Sequence, residues 1–332
     1  MDDTTLVIGS NSFTGAHFVN TFLSQTAGQI IGVSRSEEYD ATFLPYSRNP
    51  RAADFSFHQL DVNKNLNEIL DLCDEHRPAY VANFSAQGEV RNSWRFPDHW
   101  FETNCMAVVR LTNELSKRNY LKKYITSSTP EVYGSTTQGI VENHHYYPST
   151  PYAASKLAGD LHLITLFKHC GFPVVFTRAA NVYGIHQQLY RIIPRTIIYL
   201  KMGKTLELHG QGRSLRSFVH IRDVADATLL GLEKGEPGNV YHIAPTTEPS
   251  SIRSLVESIC TDMGYPFEDC VKLVDKNFGQ DAMYSLNTNK IRGELGWDPK
   301  VSLDKGISEM IDWINEDWDK IKNLPLEYIH KP

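Results

Sequence analysis

Short apolar runs alternate with amphipathic stretches over roughly the first half of the chain. Residues 6–8 form an apolar run that ends at Gly9, and residues 16–23 then place apolar side chains at helical spacing. Further strand-like runs, separated by helical stretches such as 66–72, cover residues 30–33, 55–60, 80–84, 124–126 and 174–176. This alternation predicts an α/β fold with a Rossmann-type, doubly wound parallel sheet, whose ligands lie at the carboxyl ends of the strands.

Beyond about residue 183 the pattern becomes irregular, with glycine-rich turns between short elements. We expect a first domain in residues 1–183 and a smaller C-terminal α/β lobe, mainly in residues 184–332. Some segments of the second part are expected to return to the first domain. Because no Gly/Ser or Pro linker separates the two parts, they should share an extensive interface with a cleft between them.

Composition narrows the possible partners. Of 332 residues, 41% are hydrophobic and 22% charged, as in globular proteins, and the net charge of −6 offers no basic surface for nucleic acid. The five cysteines lack a C-x-x-C pair, which argues against a disulfide framework or a zinc site and favours the cytoplasm. No apolar stretch reaches the roughly 18 residues of a membrane span, so we expect neither membrane insertion nor targeting.

The turn after the first strand reads GSNSFTG, from Gly9 to Gly15. It has the outer glycines of a dinucleotide fingerprint, but Ser12 stands where the middle glycine is expected. A tight turn of this kind lets backbone N–H groups and a helix N-terminus approach a pyrophosphate, and a small serine is compatible with it. An ordinary turn before a helix is the alternative. We favour a dinucleotide site that includes Phe13 and Thr14.

The second predicted strand ends in Ser34, Arg35 and Ser36 rather than in an acidic residue. An acid at this point would bind the adenosine ribose of NAD, whereas an arginine with two hydroxyls suits the 2′-phosphate of NADP. We therefore expect NAD(P) with a slight preference for NADP, the alternative being a solvated arginine. After the third strand, Asp61 and Val62 are candidates to meet the adenine.

Tyr152 and Lys156 lie one helical turn apart, on a helix that Pro151 is expected to begin. A nearby ammonium lowers the pKa of a phenol, so Tyr152 is a candidate general base toward a sugar hydroxyl, and Lys156 also a candidate for the nicotinamide ribose. A Y-x-x-x-K spacing alone is common by chance.

The segment that follows the strand at 124–126 supports the interpretation of Tyr152 and Lys156 as a catalytic pair. Thr129 is suited to hydrogen-bond the same substrate hydroxyl. Glu131, buried beside the cofactor, would remove a carbon-bound proton once oxidation has created a neighbouring ketone. The alternative for Glu131 is a surface position in a loop.

Together these motifs resemble the extended short-chain dehydrogenase/reductase family and, within it, the nucleotide-sugar 4,6-dehydratases. The resemblance covers nearly the whole chain. Besides the turn and the Tyr152/Lys156 pair, it rests on the segments 83–87, 102–104, 128–134, 178–184, 192–194, 210–216, 220–224 and 294–297.

The resemblance implies a reaction in which Tyr152 takes the proton of the sugar C4 hydroxyl while hydride passes to the nicotinamide. Thr129 and Lys156 assist this step. Glu131 then removes the C5 proton, water leaves from C6 and the hydride returns to C6. The product is a 4-keto-6-deoxy sugar, and the cofactor is recycled.

The resemblance also assigns binding residues, in a nucleoside-diphosphate-sugar site formed mainly by the second lobe. For the cofactor it adds Phe84, Ala86 and Asn104. For the substrate it adds Gln87, Asn181, Ile193, Pro194 and Arg216. It further implies a homodimer formed by the helix near residues 106–109 and the helix that carries Tyr152.

Two departures leave the reaction and the nucleotide open. Dehydratases of deoxythymidine diphosphate glucose carry Thr-Asp-Glu, whose Asp protonates the departing C6 hydroxyl, whereas Pro130 has no proton to give. GDP-mannose dehydratases carry Thr-Ser-Glu, so Glu131 itself would supply this proton, and UDP-glucuronate decarboxylases also show Thr-x-Glu. Residues 281–284 lack the arginine expected near the base in the thymidine enzymes.

Three hypotheses remain: a 4,6-dehydratase, a related epimerase or decarboxylase, and a non-catalytic dinucleotide-binding regulator. Glu131 favours the first. His144 and His145, with Glu142, lack the spacing of a metal motif, so no metal is expected. His186 and the glutamines after it are either ligands of the sugar diphosphate or an ordinary polar loop.

Overall fold

A computed structural model of the chain describes residues 1–136, 139–275 and 285–331. Its strands are β1 (Thr5–Ile8), β2 (Ile30–Ser34), β3 (Phe55–Gln59), β4 (Tyr80–Asn83), β5 (Lys123–Ser127), β6 (Val174–Ala179), β7 (Asn181–Tyr183), β8 (Leu206–His209), β9 (Leu215–Arg216), β10 (Phe218–His220), β11 (Val240–Ile243), β12 (Ser250–Ser251) and β13 (Val271–Val274). Its α-helices are α1 (Phe13–Gln25), α2 (Leu66–His76), α3 (Val90–Ser93), α4 (Pro97–Phe101), α5 (Ala107–Leu115), α6 (Pro151–Cys170), α7 (Ile192–Lys201), α8 (Ile221–Lys234), α9 (Ile252–Asp262), α10 (Phe267–Cys270), α11 (Asn289–Leu295), α12 (Leu303–Glu316) and α13 (Trp318–Ile321). No helix within these ranges is both long enough and apolar enough to cross a bilayer.

Seven parallel strands form the central sheet, in the order β11-β6-β5-β4-β1-β2-β3. The chain builds outward from β1 to β3 on one side and then from β4 onward on the other. The carboxyl ends of β1 and β4 therefore flank the point where the strand order reverses, which is where such sheets bind ligands. The predicted Rossmann-type α/β fold is confirmed.

Alternating side chains of the strands supply a core on each face of the sheet. Val7 packs on the side of α1 and α8, whereas its neighbours Leu6 and Ile8 pack on the side of α2, α5 and α6. Because both faces are covered, the inner strands contain short apolar runs, such as residues 6–8 of β1 and 174–176 of β6, which is why they were visible in the sequence.

One turn of π-helix, Glu102–Met106, joins α4 to α5. The wider turn directs Asn104 inward, where it is 1% exposed, while Met106 faces outward. Gly159 of α6 packs against the backbone of this turn, and a Cβ at that position would collide with the carbonyl oxygen of Asn104.

A third core cluster lies in the second lobe, where α7, α9 and α12 pack with the parallel pair β8 and β13. The chain nevertheless returns to the first sheet, because β11 pairs with β6. The segment after β2 also contacts this lobe: the Thr42 carbonyl accepts a hydrogen bond from His186 Nδ1 at 2.7 Å, and the ring of Phe43 lies 6.2 Å from that of Trp313.

Residues 324–331, here called the strap, cross from the second lobe toward the sheet. On the lobe side, Glu327 accepts a hydrogen bond from Arg195 of α7 at 2.8 Å. The next ring, that of Tyr328, packs edge-on against Tyr190 with centroids 5.3 Å apart. The strap is thus held by a charge pair and an aromatic contact beside the start of α7.

On the sheet side, the ring of His330 stacks on Phe96 with centroids 4.8 Å apart and forms a 2.9 Å hydrogen bond with His99. The carbonyl of Lys331 accepts a 2.8 Å hydrogen bond from Nε2 of Gln87, which follows β4. The strap therefore bridges the two lobes at the carboxyl edge of the sheet.

Candidate active site

The Gly-rich turn lies at the carboxyl end of β1 and requires both outer glycines. Gly9 has φ +82°, and a Cβ there would stand 2.7 Å from the backbone nitrogen of Ser85. A Cβ at Gly15 would collide with the carbonyl oxygen of Gly9. At Gly9 and Gly15 the turn therefore has no room for a side chain. It leads into α1, so a pyrophosphate bound there would meet the helix N-terminus.

Ser12 replaces the middle glycine without strain, because its φ of −68° is open to any residue. It is the N-cap of α1, and its hydroxyl accepts a 3.0 Å hydrogen bond from the backbone N–H of Gly15. Phe13 is buried and Thr14 is half-buried in the first turn of the helix. The turn from Gly9 to Gly15, here called the cradle, fits a dinucleotide, and Ser12 supplies the N-cap of the helix that follows it.

Asn11, which the sequence interpretation did not single out, ties this turn to the end of β2. Its backbone N–H donates to the hydroxyl of Ser34 at 2.9 Å, and its side-chain amide donates to the hydroxyl of Ser36 at 3.2 Å and to the carbonyl of Glu37 at 2.7 Å. Both serine hydroxyls expected at a 2′-phosphate thus hold the turn. Arg35 between them is exposed.

The two residues predicted to meet the adenine are placed after β3. The carboxylate of Asp61 accepts a 2.9 Å hydrogen bond from the backbone N–H of Asn63, so it caps the turn that leads to α2. Val62 is buried in the core on the α2 side of the sheet. Asp61 stays at the strand edge, whereas the side chain of Val62 is a packing group.

At the end of β4, Phe84 is buried and Ala86 is exposed, and the side chain of Asn104 organises the residues that follow. Asn104 accepts from the backbone N–H of Gln87 at 2.9 Å and donates to the carbonyl of Gln87 at 3.1 Å. It also donates to the hydroxyl of Ser155 on α6 at 2.9 Å. Asn104 thus joins the β4 edge to α6, while the strap covers the side chain of Gln87.

Helix α6 carries Tyr152 and Lys156, as predicted from Pro151. Pro151 is the first residue of the helix, and the hydroxyl of Thr150 caps it by accepting from Ala153 N–H at 3.1 Å. The ammonium of Lys156 is 7% exposed and donates a 2.8 Å hydrogen bond to the carbonyl of Ser127, the last residue of β5. Burial lowers the pKa of Lys156, and the carboxylate of Asp160 opposes this shift.

The pKa of Tyr152 is raised above its ordinary value, mainly by burial and then by the nearby charge of Glu131. The hydroxyl of Thr129 hydrogen-bonds the phenol and acts in the opposite direction. The prediction that Lys156 brings this pKa down is therefore wrong for the protein alone. The ammonium of Lys156 is held by the Ser127 carbonyl, and burial is the largest influence on the pKa of the phenol.

Thr129, Pro130 and Glu131 lie directly after β5, where the 3-10 turn Pro130–Tyr133 begins. The hydroxyl of Thr129 accepts from the backbone N–H of Glu131 at 3.3 Å, and Pro130 is buried in the first position of the turn. Glu131 is half-buried rather than fully buried, on the side of Tyr152. The structure therefore brings together all four residues predicted for the chemistry.

In the second lobe, the structure places the two predicted diphosphate ligands near each other. Asn181 begins β7, and its backbone N–H donates to the carbonyl of Ser217 at 3.0 Å. Arg216 of β9, the residue before Ser217, is 8% exposed. The backbones of Asn181 and Arg216 thus lie close together beside the pairing of β7 with β10.

Ile193 and Pro194, predicted to border the nucleotide base, lie in the first turn of α7. Both are buried, and the 1% exposed side chain of Ile193 belongs to the core of the second lobe. The side chain of Ile193 is therefore a packing group, and its position fixes the start of α7 beside the cleft.

Comparisons with known proteins agree with this geometry. The sequence model of the GDP-mannose 4,6 dehydratase family matches residues 6–310. The chain belongs to this family. It is 30% identical to a dTDP-glucose 4,6-dehydratase of Xanthomonas campestris, over 95% of this chain and 94% of the relative, and 31% identical to one of Streptomyces niveus, over 96% and 95%. The crystal structure of the Streptomyces venezuelae dTDP-glucose 4,6-dehydratase with NAD bound superposes with a TM-score of 0.87 at 28% identity, over 95% of this chain and 98% of that one.

Membership of the 4,6-dehydratase family confirms the predicted enzyme class and a nicotinamide dinucleotide as its cofactor. The cradle of Gly9 and Gly15, which a Cβ would fill, is an independent observation that fits this cofactor. The predicted family is thus supported by the matched sequence, by the sheet and by the turn at its switch point.

Behind the site of this dehydratase-family chain lies a buried polar network that sequence reasoning missed. Asp160 of α6 accepts hydrogen bonds from Ser128 Oγ at 2.5 Å and from Arg178 at 2.9 Å. Arg178 is fully buried and also donates to the hydroxyl of Tyr133 at 2.5 Å, and His242 lies 2.9 Å from the same hydroxyl. The sequence signal for this network was Asp160, an acidic residue one helical turn after Lys156 and flanked by apolar residues.

The remaining polar candidates for ligand binding form hydrogen bonds within the protein. The ring of His144 hydrogen-bonds Tyr146, while Glu142 accepts from the backbone N–H of His242 at 3.0 Å. Within the described ranges, His, Cys, Asp and Glu form no group of three suited to a metal ion. Gln187 donates to the Val182 carbonyl at 2.8 Å. Residues 281–284, discussed for the nucleotide base, lie outside the described residues.

Proposed function

We propose that the protein removes water from a nucleoside diphosphate hexose to give the 4-keto-6-deoxy sugar, with Thr129, Glu131, Tyr152 and Lys156 as its reacting groups. The observation that carries this proposal is the position of Glu131, a half-buried carboxylate beside Tyr152 and Thr129 at the edge of the sheet. A simple 4-epimerase would have no use for a carboxylate at this point.

The cradle of Gly9, Ser12 and Gly15 would hold the dinucleotide, and Lys156 would bind its nicotinamide ribose. When bound, the nicotinamide ring supplies the hydride chemistry, taking hydride from C4 and returning it to C6. Tyr152 takes the proton of the C4 hydroxyl, and Thr129 hydrogen-bonds the phenol. Because the phenol alone is a weak acid here, its ionisation depends on the positive charges that the filled site brings near it.

Glu131 performs the elimination. The C4 ketone acidifies the C5 proton, which the carboxylate takes up, and the carboxylic acid so formed delivers a proton to the departing C6 hydroxyl. As hydride returns to C6, Glu131, protonated again from solvent, gives a proton to C5, and Tyr152 releases the proton that it took from the C4 hydroxyl. Pro130 has no proton to give, so one residue serves both as base and as acid. Asn181 and Arg216 would hold the diphosphate, since a guanidinium suits phosphate oxygens.

The proposal includes a preference for NADP over NAD. It is supported by Arg35, an exposed cation directly after β2, at a strand end that carries no carboxylate. The cofactor extracted from the purified protein should be NADP. Arg35→Asp should shift the ratio of the two affinities toward NAD by about tenfold or more, measured by calorimetry. An unchanged ratio contradicts the preference.

The proposal also includes a homodimer in the cytoplasm. Met106 and Leu161, 41% and 46% exposed, are large apolar side chains on the helical segments expected at the interface. All five cysteines are unpaired, as suits a reducing compartment. Light scattering should give the mass of a dimer, and Leu161→Glu should shift it toward the monomer.

The deciding experiment incubates the purified protein with UDP-, dTDP-, GDP- and CDP-hexoses and follows the products by mass spectrometry. One member of the panel should lose the mass of one water. Loss of carbon dioxide from a uronate would indicate a decarboxylase, and an isomer of unchanged mass would indicate an epimerase. Either of these, without any loss of water, rejects the proposed function.

A further inference from the structure

Asp160 lies one helical turn beyond Lys156 on α6 and is 3% exposed. A single carboxylate oxygen accepts both the hydroxyl of Ser128 at 2.5 Å and the guanidinium of Arg178 at 2.9 Å. Ser128 follows β5 and Arg178 belongs to β6, so the carboxylate joins two neighbouring strands to the helix. Buried charges with this many partners fix geometry closely.

The neighbours of Ser128 connect this junction to the reacting groups. The carbonyl before it, that of Ser127, holds the ammonium of Lys156 at 2.8 Å. The residue after it, Thr129, hydrogen-bonds the phenol of Tyr152. Three consecutive residues of one strand end therefore contact three groups of α6, and the middle contact belongs to Asp160.

We propose that Asp160 is a positioning residue of the dehydration: through Ser128 it holds the end of β5 against α6, so that Lys156 and Tyr152 keep their partners on that strand. The inference rests on the proposed roles of Tyr152 and Lys156. Asp160 touches neither the sugar nor the nicotinamide and acts through the strand end.

The surroundings of Asp160 pair its carboxylate away from solvent. Arg178 from β6 balances the carboxylate, and the rings of Tyr133 and Tyr146 lie 4.8 and 5.2 Å from its guanidinium. His242 of β11 reaches Tyr133 and stays neutral, because burial lowers its pKa to about 3.

The charge of Asp160 also acts on the reacting pair. It raises the pKa of both Lys156 and Tyr152. Glu131 acts on Tyr152 in the same direction, and Arg191 and the hydroxyl of Thr129 act in the opposite one. Removing the Asp160 charge, with all of these groups left in place, should therefore move both titrations to lower pH.

The test uses Asp160→Asn in the full chain, with Asp71→Asn on α2 as the matched control. Brief acetylation at a series of pH values, read by mass spectrometry of the peptide that contains Lys156, should show half-labelling at lower pH than in the parent. The limb of kcat that rises with pH should move in the same direction, with KM within about twofold. Asp71→Asn should match the parent in both. Two profiles that both coincide with the parent's would overturn the proposal.

Ser128→Ala keeps the test decisive even where Asp160→Asn does not fold. It removes the hydrogen bond between Ser128 and Asp160 without changing any charge. The value of kcat should therefore fall about tenfold, while the pH at which kcat rises should stay the same. An unchanged kcat in this variant also overturns the proposal. The acetylation profile needs no substrate, so a protein that dehydrates none of the sugars would reject the proposed function without rejecting the action of Asp160 on Lys156.

Discussion

Pro130 occupies the position between Thr129 and Glu131, where its ring suits the first residue of a 3-10 turn but offers no proton. In the proposed reaction Glu131 therefore has to serve both as base and as acid. Its half-buried position beside Tyr152 lets it reach solvent for a proton and also act on a sugar. The proposed elimination therefore depends on one carboxylate, that of Glu131.

Glu131→Gln should separate the two halves of the reaction. The amide cannot take the C5 proton, so C4 oxidation should still occur while release of dehydrated product falls about 10³-fold. Stopped-flow absorbance of the nicotinamide gives the first step, and mass spectrometry gives the second. Glu248→Gln, at an exposed loop position, is the control and should behave as the parent. Dehydrated product at the parental rate from Glu131→Gln would show that another group is the base.

At the scale of elements, the site depends on how closely α6 approaches the π-turn Glu102–Met106. Gly159 permits this approach, because only a hydrogen atom separates its Cα from the carbonyl oxygen of Asn104. Asn104 in turn holds the β4 edge and Ser155 of the helix. A change in the spacing of the two helical segments should therefore reach the residues after β4.

Gly159→Ala should lower the free energy of unfolding by about 1–3 kcal/mol and reduce kcat, because the added methyl forces the π-turn away from α6. Gly293→Ala in α11 is the matched control, since a Cβ there meets no atom within 4 Å. It should stabilise the protein slightly, by up to about 1 kcal/mol. Urea unfolding and steady-state kinetics measure both variants. Equal stability of the two alanine variants would contradict the packing argument.

The elements with the strongest local pattern were the ones that sequence reasoning identified. Strands buried on both faces are short apolar runs, and the N-cap and proline of α6 have local signatures, so the sheet and the Tyr152/Lys156 helix were predictable. The π-turn has no such signature. The bonds of Asn11 and of Asp160 join elements distant in sequence, and the pKa of Tyr152 depends on burial, which spacing does not reveal.

At the scale of the whole molecule, three histidines are buried without charge: His17 and His220 near the junction of the lobes, and His242 on β11. Burial is the largest cause that lowers their pKa values, to about 3, 4 and 3 respectively. At these three positions the unfolded chain takes up protons below about pH 6.5, whereas the folded protein does so only near pH 3–4. The fold should therefore lose stability as the pH falls below this value.

For His17 the loss should be about 2 kcal/mol at pH 5, since 1.36 kcal/mol applies to each pH unit below 6.5. Urea unfolding at pH 7.5 and pH 5 measures the difference for the parent and for His17→Gln, which should lose less on acidification. His169→Gln on the exposed side of α6 is the control and should follow the parent. A free energy of unfolding that does not change between the two pH values would refute this account.

The strap joins the lobes by contacts at both of its ends, to Arg195 on one side and to Gln87 on the other. A ligand that draws the lobes together should therefore slow hydrogen–deuterium exchange in residues 324–331. Glu327→Ala should remove this protection while leaving α6 protected, and Lys322→Ala, outside the strap, should not. If the exchange rate of residues 324–331 changed neither with the ligand nor with Glu327→Ala, the strap would not respond to the cleft.

Because it contacts both lobes, the strap is a suitable place for a label that would report ligand binding. A fluorophore or isotope label on the strap would sense the cleft from its outer edge, far along the chain from the reacting groups and without touching them. Since the proposed reaction returns the hydride to the same sugar, such a label would show whether the strap keeps its contacts until that return is complete.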